Sequence, residues 1–441
     1  MSAATRHPDR LAARILWGMV IGLALGLLAR MAGLSSPSLK EAGTWLATQV
    51  LDPLGQVFLR MLFFVVVPLI FSSLMLGIVQ LGALGRLGPL AGKTFLLFGL
   101  NMAIAVALGL VILNVVRPGQ RIDPATRAQL ITQYQADARA VQLKAAEQPK
   151  LTLNQMVEMF MPRNLLRAVV DFEILPLILF ALLLGAAGTQ LRADHRLMVQ
   201  TALEIVSELM TRVVHYAMLL APYAVAAMMS SLVVKAGVDI LRALMAFVVA
   251  VLAGMVIHLF GTMSLLLVLF SRQSPVAFFK AIRTILVTAF STSSSNATLP
   301  TTIHISRENL GISASTAGFV LPLGATMNMS GTALYEGCVV LFIAQVYGLP
   351  LTISGQITLL VLAVLSAVAV AGIPGASLPL IVGLLINFHL PAEGIALILG
   401  VDRVLDMART TLNVAADVVT AVIVDERVAD ATSETPAPVE G

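Results

Sequence analysis

Over residues 398–424 the chain reads ILGVDRVLDMARTTLNVAADVVTAVIV, and Asp402, Arg403, Asp406, Arg409, Asn413 and Asp417 are polar or charged in an otherwise apolar stretch. Counted from Asp406, the residues Arg409, Thr410, Asn413 and Asp417 follow at three, four, seven and eleven positions. At roughly 100° per residue this confines them to one helix face, an arc of about 100°. Each ionisable group at the centre of a membrane helix costs about 2.5–3.5 kcal/mol, so the face must look at protein or at a water-filled cavity. A guanidinium offers a fork of donors matched to a carboxylate, and a neighbouring carboxylate accepts from an ammonium group. Arg409 and Asp406 together therefore describe a site for an acidic amino acid. The plainer alternative is an Asp and Arg pair that only neutralises itself.

Three other stretches carry polar chemistry. STSSSNATLP, residues 291–300, is a run of hydroxyl side chains directly after the apolar residues 281–290. Its side chains, with the free N–H groups of a half-helix start, suit an anion, although an ordinary polar loop has the same composition. LPLGATMNMSGTALYEG, residues 321–337, interrupts an apolar helix with Gly324, Asn328, Ser330, Gly331 and Thr332. An unwound helix exposes carbonyl oxygens that suit a small hard cation once a carboxylate such as Asp417 is near, whereas glycines that merely permit close helix packing are the bland reading. AGIPGAS, residues 371–377, sits between the apolar residues 357–370 and 378–386.

The elements that must hold these groups follow from composition. Hydrophobic residues make up 58% and charged residues 12% of the 441, and the mean hydropathy is +0.92. That is about half the charge of a soluble domain, so this is an integral membrane protein, and no alternation suggests a β-barrel. Apolar runs at 11–28, 57–78, 94–115, 175–187, 243–270 and 353–371 lead to about eight spanning helices plus shorter broken pieces. Residues 281–290 and 301–306 flank the hydroxyl run, 357–370 and 378–386 flank AGIPGAS, and each arm is about half a span long. Both segments are therefore expected to enter the membrane and turn back. Such irregular backbone survives at membrane depth only where protein or water satisfies it, and two interrupted segments in corresponding places point to inverted repeats.

Arg6, Arg10 and Arg14 precede the first run without a cleavage site, which reads as a retained helix. Arg86 and Lys93, then Arg192 and Arg196, then Arg272, Lys280 and Arg283 fall on alternate connections, which places those connections and both termini in the cytoplasm. The net charge of +4 follows from this bias. No basic stripe is interleaved with aromatics, so no nucleic-acid partner is expected. The single Cys338 reads as a small buried hydrophobe. His195, His215, His258, His304 and His389 read as interfacial or packing residues, and the glycosylation sequons at Asn296 and Asn328 as accidental.

The hydroxyl-rich run, LPLGATMNMSGTALYEG, AGIPGA and DMARTTLNVAAD, in that order, resemble the glutamate/aspartate transporter family, the dicarboxylate/amino acid:cation symporters with archaeal aspartate transporters and animal excitatory amino acid transporters among them. The resemblance runs from LGQVFLRML near Pro53 to Val424. It implies an all-α membrane protein of eight transmembrane helices and two re-entrant hairpins, an elevator-type homotrimer in the lipid bilayer. Residues 1–90 and 152–237 would be scaffold, 91–118 and 238–425 the moving part, 119–151 an extracellular polar loop and 426–441 a cytoplasmic tail. The short termini and lean loops suit a bacterial inner membrane. Carried over by motif, Arg409 binds the substrate's side-chain carboxylate and Asp406 its amino group. Ser293, Ser294, Ser295, Met329, Thr332, Thr410 and Asn413 supply the remaining contacts, and Ile373, Gly375 and Ala376 belong to the outer gate. Gly324, Asn328, Asn413 and Asp417 match a sodium site, and Glu336 the carboxyl by which animal members carry a proton. No cofactor is implied beyond Na+ and H+ as coupling ions.

The departures concern those ions. The family's NMDGT is NMSGT here, so a carboxylate is missing at Ser330; Asn101 and Met102 replace a hydroxyl pair, and Ala367 and Val370 stand where hydroxyl residues are usual. Two of the family's three sodium sites are thereby weakened. Ser293 replaces an arginine of archaeal members, Met407 shows that animal members' arginine is absent too, and Arg403 is the candidate substitute. Three readings stay open beside a cation-coupled acidic amino acid symporter: a C4-dicarboxylate symporter, which needs no ammonium partner; an anion channel using the same polar face; and an intramembrane enzyme with Ser295 as nucleophile, disfavoured because no His or Lys base is paired with it.

Overall fold

The computed structural model describes residues 7–82, 88–122, 161–170, 174–236, 239–370, 372 and 374–433. Most of the expected 119–151 loop, with Arg6, Arg86 and Ile373, lies outside them. Every regular element among the described residues is helical. In chain order they are α1 (His7–Ser35), α2 (Pro37–Leu46), α3 (Asp52–Gly82), α4 (Gly88–Val116), α5 (Leu165–Val170), α6 (Ile174–Thr189), α7 (Ala193–Ala236), α8 (Asp239–Ile257), α9 (Met263–Phe270), α10 (Pro275–Thr292), α11 (Ser295–Leu310), α12 (Ala314–Met327), α13 (Ser330–Val346), α14 (Ile353–Val368), α15 (Ser377–Asn387) and α16 (Ala396–Ser433). Eight helical stretches among the described residues are long and apolar enough to cross a membrane. Eight such stretches are those of a multi-pass membrane protein.

These eight differ in membership from the eight read from the sequence. Among the described residues α6 has 16 residues and falls short of a full span, and the 18 residues of α10 qualify. Residues 281–290 were expected to be a half-length arm, but α10 begins at Pro275, whose fixed φ and missing N–H suit a first helical turn, and so carries Lys280 and Arg283 within it. At 1.5 Å per residue it is about 27 Å long.

The helices pack in two groups. In one, α3 and α1 lie along the 44-residue α7, and α6 packs on α3. In the other, α13 is the central rod, against α4, α14 and α16, with α12 and α10 also on α16. All 17 residues of α13 are buried, and among them Ser330, Thr332, Glu336 and Gln345 are polar groups that would be costly against lipid and so favour an interior position. The groups meet chiefly where α16 touches α1 and α7 and where α15 touches α3.

Both hairpins form. Chain reversal between α10 and α11 is made by Ser293 in the left-handed region (φ 50°) and by Ser294, whose hydroxyl caps α11 by accepting from Ala297 N at 3.1 Å. Asn309 Nδ2 donates to Ala281 O at 3.0 Å, closing the far ends. In the second hairpin α14 ends at Val368 and α15 begins at Ser377. The non-helical Asn328 and Met329 separate α12 from α13, as the polar interruption predicts, while Pro322 lies inside α12.

Candidate functional site

The polar face of α16 is entirely interior: Asp402, Arg403, Asp406, Arg409, Thr410, Asn413 and Asp417 are each no more than 6% exposed. Arg409 Nη2 donates to Asp406 Oδ1 at 2.5 Å, and Arg403 Nη1 to Asp406 Oδ2 at 3.3 Å. Arg409 Nη1 stands 3.8 Å from Asp402 Oδ1, which accepts from the Tyr335 hydroxyl at 2.9 Å. The guanidinium also lies over the Tyr335 ring, 4.7 Å from its centroid, a favourable cation–π position. Two carboxylates thus face two guanidiniums, so the cluster is neutral and can remain in a low-dielectric interior.

The tips of the two hairpins meet above this cluster. Gly372 O accepts from Ser294 Oγ at 2.7 Å and from Asn296 N at 3.3 Å. Only glycine permits that approach, since a Cβ at 372 would stand 2.7 Å from Asn296 Oδ1 and 2.8 Å from Ala325 O. Beneath the joined tips is a cleft lined by Ser293, Ser295, Met329, Thr332, Val370, Gly372, Ser377, Asp406, Arg409, Thr410 and Asn413. It holds about 250 Å³ of atom-free space, yet hardly more than a water molecule fits without side chains moving.

Sequence reasoning and structure bring mostly the same residues here. Ser293, Ser295, Met329, Thr332, Asp406, Arg409, Thr410 and Asn413 line the cleft; Ser294 instead spends its hydroxyl on the α11 cap and on Gly372. Gly375 and Ala376 lie outside the lining, Gly375 facing Met218 of α7, and Ile373 lies outside the described residues. Val370, Gly372 and Ser377 were missed as lining residues. The glycine and the serine inside AGIPGAS were the available signals for Gly372 and Ser377. Arg403, expected to stand in for an arginine of the hairpin tip, reaches Asp406 from α16 itself and borders a second, mostly apolar cleft with Ile15, Phe58, Met218 and Leu378.

Asn413 was named twice, and most of its side chain is committed elsewhere, with one Nδ2 hydrogen left for the cleft that it lines. Its Oδ1 accepts from Gly331 N at 2.7 Å and from Thr332 N at 3.3 Å, and its Nδ2 donates to Thr332 Oγ1 at 3.1 Å. The start of α13 needs this, because Met329 at its N-cap supplies no side-chain acceptor. Only the Asn413 backbone carbonyl is then available to a cation.

One turn further, Asn328 Nδ2 donates to Asp417 Oδ1 at 3.0 Å, and the Asp417 carboxylate packs flush on Gly324. Asn328 Oδ1 is buried without a hydrogen bond. A carboxylate, an unpaired amide oxygen and a broken helix end are a donor set for a hard cation. At the neighbouring position where the family carries a carboxylate, Ser330 Oγ and Asn101 Oδ1 are buried and also lack hydrogen bonds, while Met102 offers no oxygen. Glu336 has no exposed surface and neither carboxyl oxygen is hydrogen-bonded. His258, expected among interfacial or packing residues, is wholly interior in a π-helical turn between α8 and α9.

A sequence model of the sodium:dicarboxylate symporter family matches residues 11–427. The chain is 32% identical to a proton/glutamate-aspartate symporter of Escherichia coli (strain K12), with 94% of this chain and 92% of that protein covered. It is 31% identical to a proton/sodium-glutamate symport protein of Geobacillus stearothermophilus, covering 93% of each. It is also 31% identical to a C4-dicarboxylate transport protein of Brucella anthropi (strain ATCC 49188), covering 86% of this chain and 83% of that protein. A match across nearly the whole chain, joined to a buried arginine cleft capped by two helical hairpins, leaves one assignment: the chain belongs to the sodium:dicarboxylate symporter family, a family of transporters rather than enzymes.

Proposed function

We propose that this protein is a secondary symporter that carries aspartate or glutamate across a membrane together with cations. The observation that carries the reading is the buried cleft in which Arg409 and Asp406, a carboxylate reader and an ammonium acceptor, face the serine tip of one hairpin and Gly372 of the other. The names of the relatives agree with it. In this reading the substrate's side-chain carboxylate takes the Arg409 fork and its ammonium takes Asp406. Its α-carboxylate is held by Ser293, Ser295, Thr410 and Asn413, with Met329 and Thr332 as walls. Ser294, Ile373, Gly375 and Ala376 act in the tips, as parts of the gate.

Charge explains why cations must travel too. The arginine cluster is neutral when empty, so an acidic amino acid adds one negative charge that is costly to carry through a bilayer. Asp417, held by Asn328 but facing no arginine, is neutralised by a sodium ion coordinated with Gly324, Asn328 and Asn413 carbonyls. Glu336 is wholly buried, so it crosses at least cost as the neutral acid and serves as the proton carrier. A site built on Ser330, Asn101 and Met102 offers a sodium ion no formal charge and binds it weakly. Uptake therefore follows a proton gradient and needs less sodium than in archaeal relatives.

The two packing groups suit an elevator in which residues 91–118 and 238–425, with both hairpins re-entrant as inverted repeats, slide against residues 1–90 and 152–237 of a homotrimer. The protein sits in an inner membrane with both termini cytoplasmic. The test is aspartate uptake into proteoliposomes with sodium and pH gradients imposed separately. An inward proton gradient is expected to drive accumulation; failure of both gradients, applied singly and together, would refute symport.

A further inference from the structure

Asp406 has two carboxylate oxygens, and both are taken by arginines. Oδ1 is held by Arg409 at 2.5 Å and Oδ2 by Arg403 at 3.3 Å. Arg409 must release Asp406 to turn its fork toward a substrate carboxylate, but Arg403 has no such reason to leave. It is 6% exposed, lies three residues away on the same helix and borders the second cleft rather than the first. Its position is that of a tethered cation already seated on the group that a substrate ammonium would need.

The geometry points to Arg403 as a specificity-determining residue that competes with the ammonium for Asp406, so that ammonium-free C4-dicarboxylates are accepted alongside acidic amino acids. This rests on the reading of the arginine cleft as the substrate site. Two features support it. Arg403 Nε is buried with no hydrogen bond, so the guanidinium is not locked by a satisfied network of its own, and its grip on Asp406 is one bond of moderate length. The cluster is also neutral because Arg403 is in it: without that charge, Asp402 and Asp406 would face Arg409 alone, leaving a net negative pocket that favours a ligand with a positive group and disfavours a dianion.

The test is equilibrium binding of labelled aspartate and labelled succinate to the full-length protein in nanodiscs. The two ligands share two carboxylates and differ in the ammonium. The wild-type protein is expected to distinguish them by less than about tenfold, and Arg403→Met and Arg403→Gln to shift the ratio toward aspartate by about tenfold more, as one charged hydrogen bond allows. Arg403→Lys is expected to keep the wild-type ratio. Most of the Arg403→Met shift should vanish in an Asp406→Ser background, an outcome that loss of packing alone would not give. An unchanged ratio in both neutral variants overturns the proposal, as does a wild-type preference for aspartate above about a hundredfold, a result that needs no variant to fold. If the wild-type protein binds neither ligand, the assignment of the cleft fails first.

Discussion

Replacing Asn413 with alanine should loosen the join between α13 and α16 by an amount the structure allows to be worked out. The substitution removes the acceptor of two backbone donors, Gly331 N at 2.7 Å and Thr332 N at 3.3 Å, and the donor to Thr332 Oγ1 at 3.1 Å. Gly331 and Thr332 are both buried, so no bulk water replaces what is lost. A buried donor left without a partner costs about 1–3 kcal/mol. The 2.7 Å bond should count in full and the 3.3 Å bond in part, for a total of about 2–4 kcal/mol. Asn413→Asp, which keeps both acceptors and offers a second oxygen to the Thr332 hydroxyl, should lose much less. The assay is unfolding of the purified protein in mixed micelles titrated with SDS, without substrate, comparing both variants with wild type. If Asn413→Ala unfolds at the wild-type midpoint, Asn413 does not cap α13 and the argument is wrong.

Arg409→Thr should abolish aspartate uptake into proteoliposomes while the protein elutes as wild type on gel filtration; retained uptake would dissociate Arg409 from the substrate. Asp406→Ser should weaken aspartate binding far more than succinate binding, and equal losses would mean that no ammonium contact forms there. Gly324→Ala puts a methyl group onto the Asp417 carboxylate, with Cγ at 2.6 Å, and should lower sodium affinity at least about tenfold in titrations of aspartate binding against sodium. Glu336→Gln fixes the neutral form and should remove the response to a pH gradient while leaving any response to sodium.

The sequence disclosed the site better than the scaffold around it. An ionisable residue in an apolar helix is conspicuous, so the α16 face could be read at once, and its burial follows from the cost of exposing it to lipid. The break at Asn328 was legible because polar residues interrupt an apolar run. What the sequence withheld was pairing. Nothing in the spacing says that the Asn413 amide turns to the start of α13, or that Gly372 O is the shared acceptor of the other hairpin's tip, because both depend on distant elements meeting. Helix ends were misjudged for a similar reason: Lys280 cuts the short apolar residues 275–279 off from 281–290, yet Pro275 starts a helix that runs through both and Phe278 gives it a wholly buried contact. Arg403 was visible as an odd charge, but its partner was not, since positions 403 and 406 share a face with several possible neighbours.

The most direct test of the account is an experimental structure of the protein with aspartate bound. It should show the amino acid between the Ser295 tip and Asn413, its side-chain carboxylate on the Arg409 guanidinium and the Arg409 to Asp406 bond broken. Aspartate bound elsewhere, with the Arg409 to Asp406 bond intact beneath an empty cleft, would contradict it.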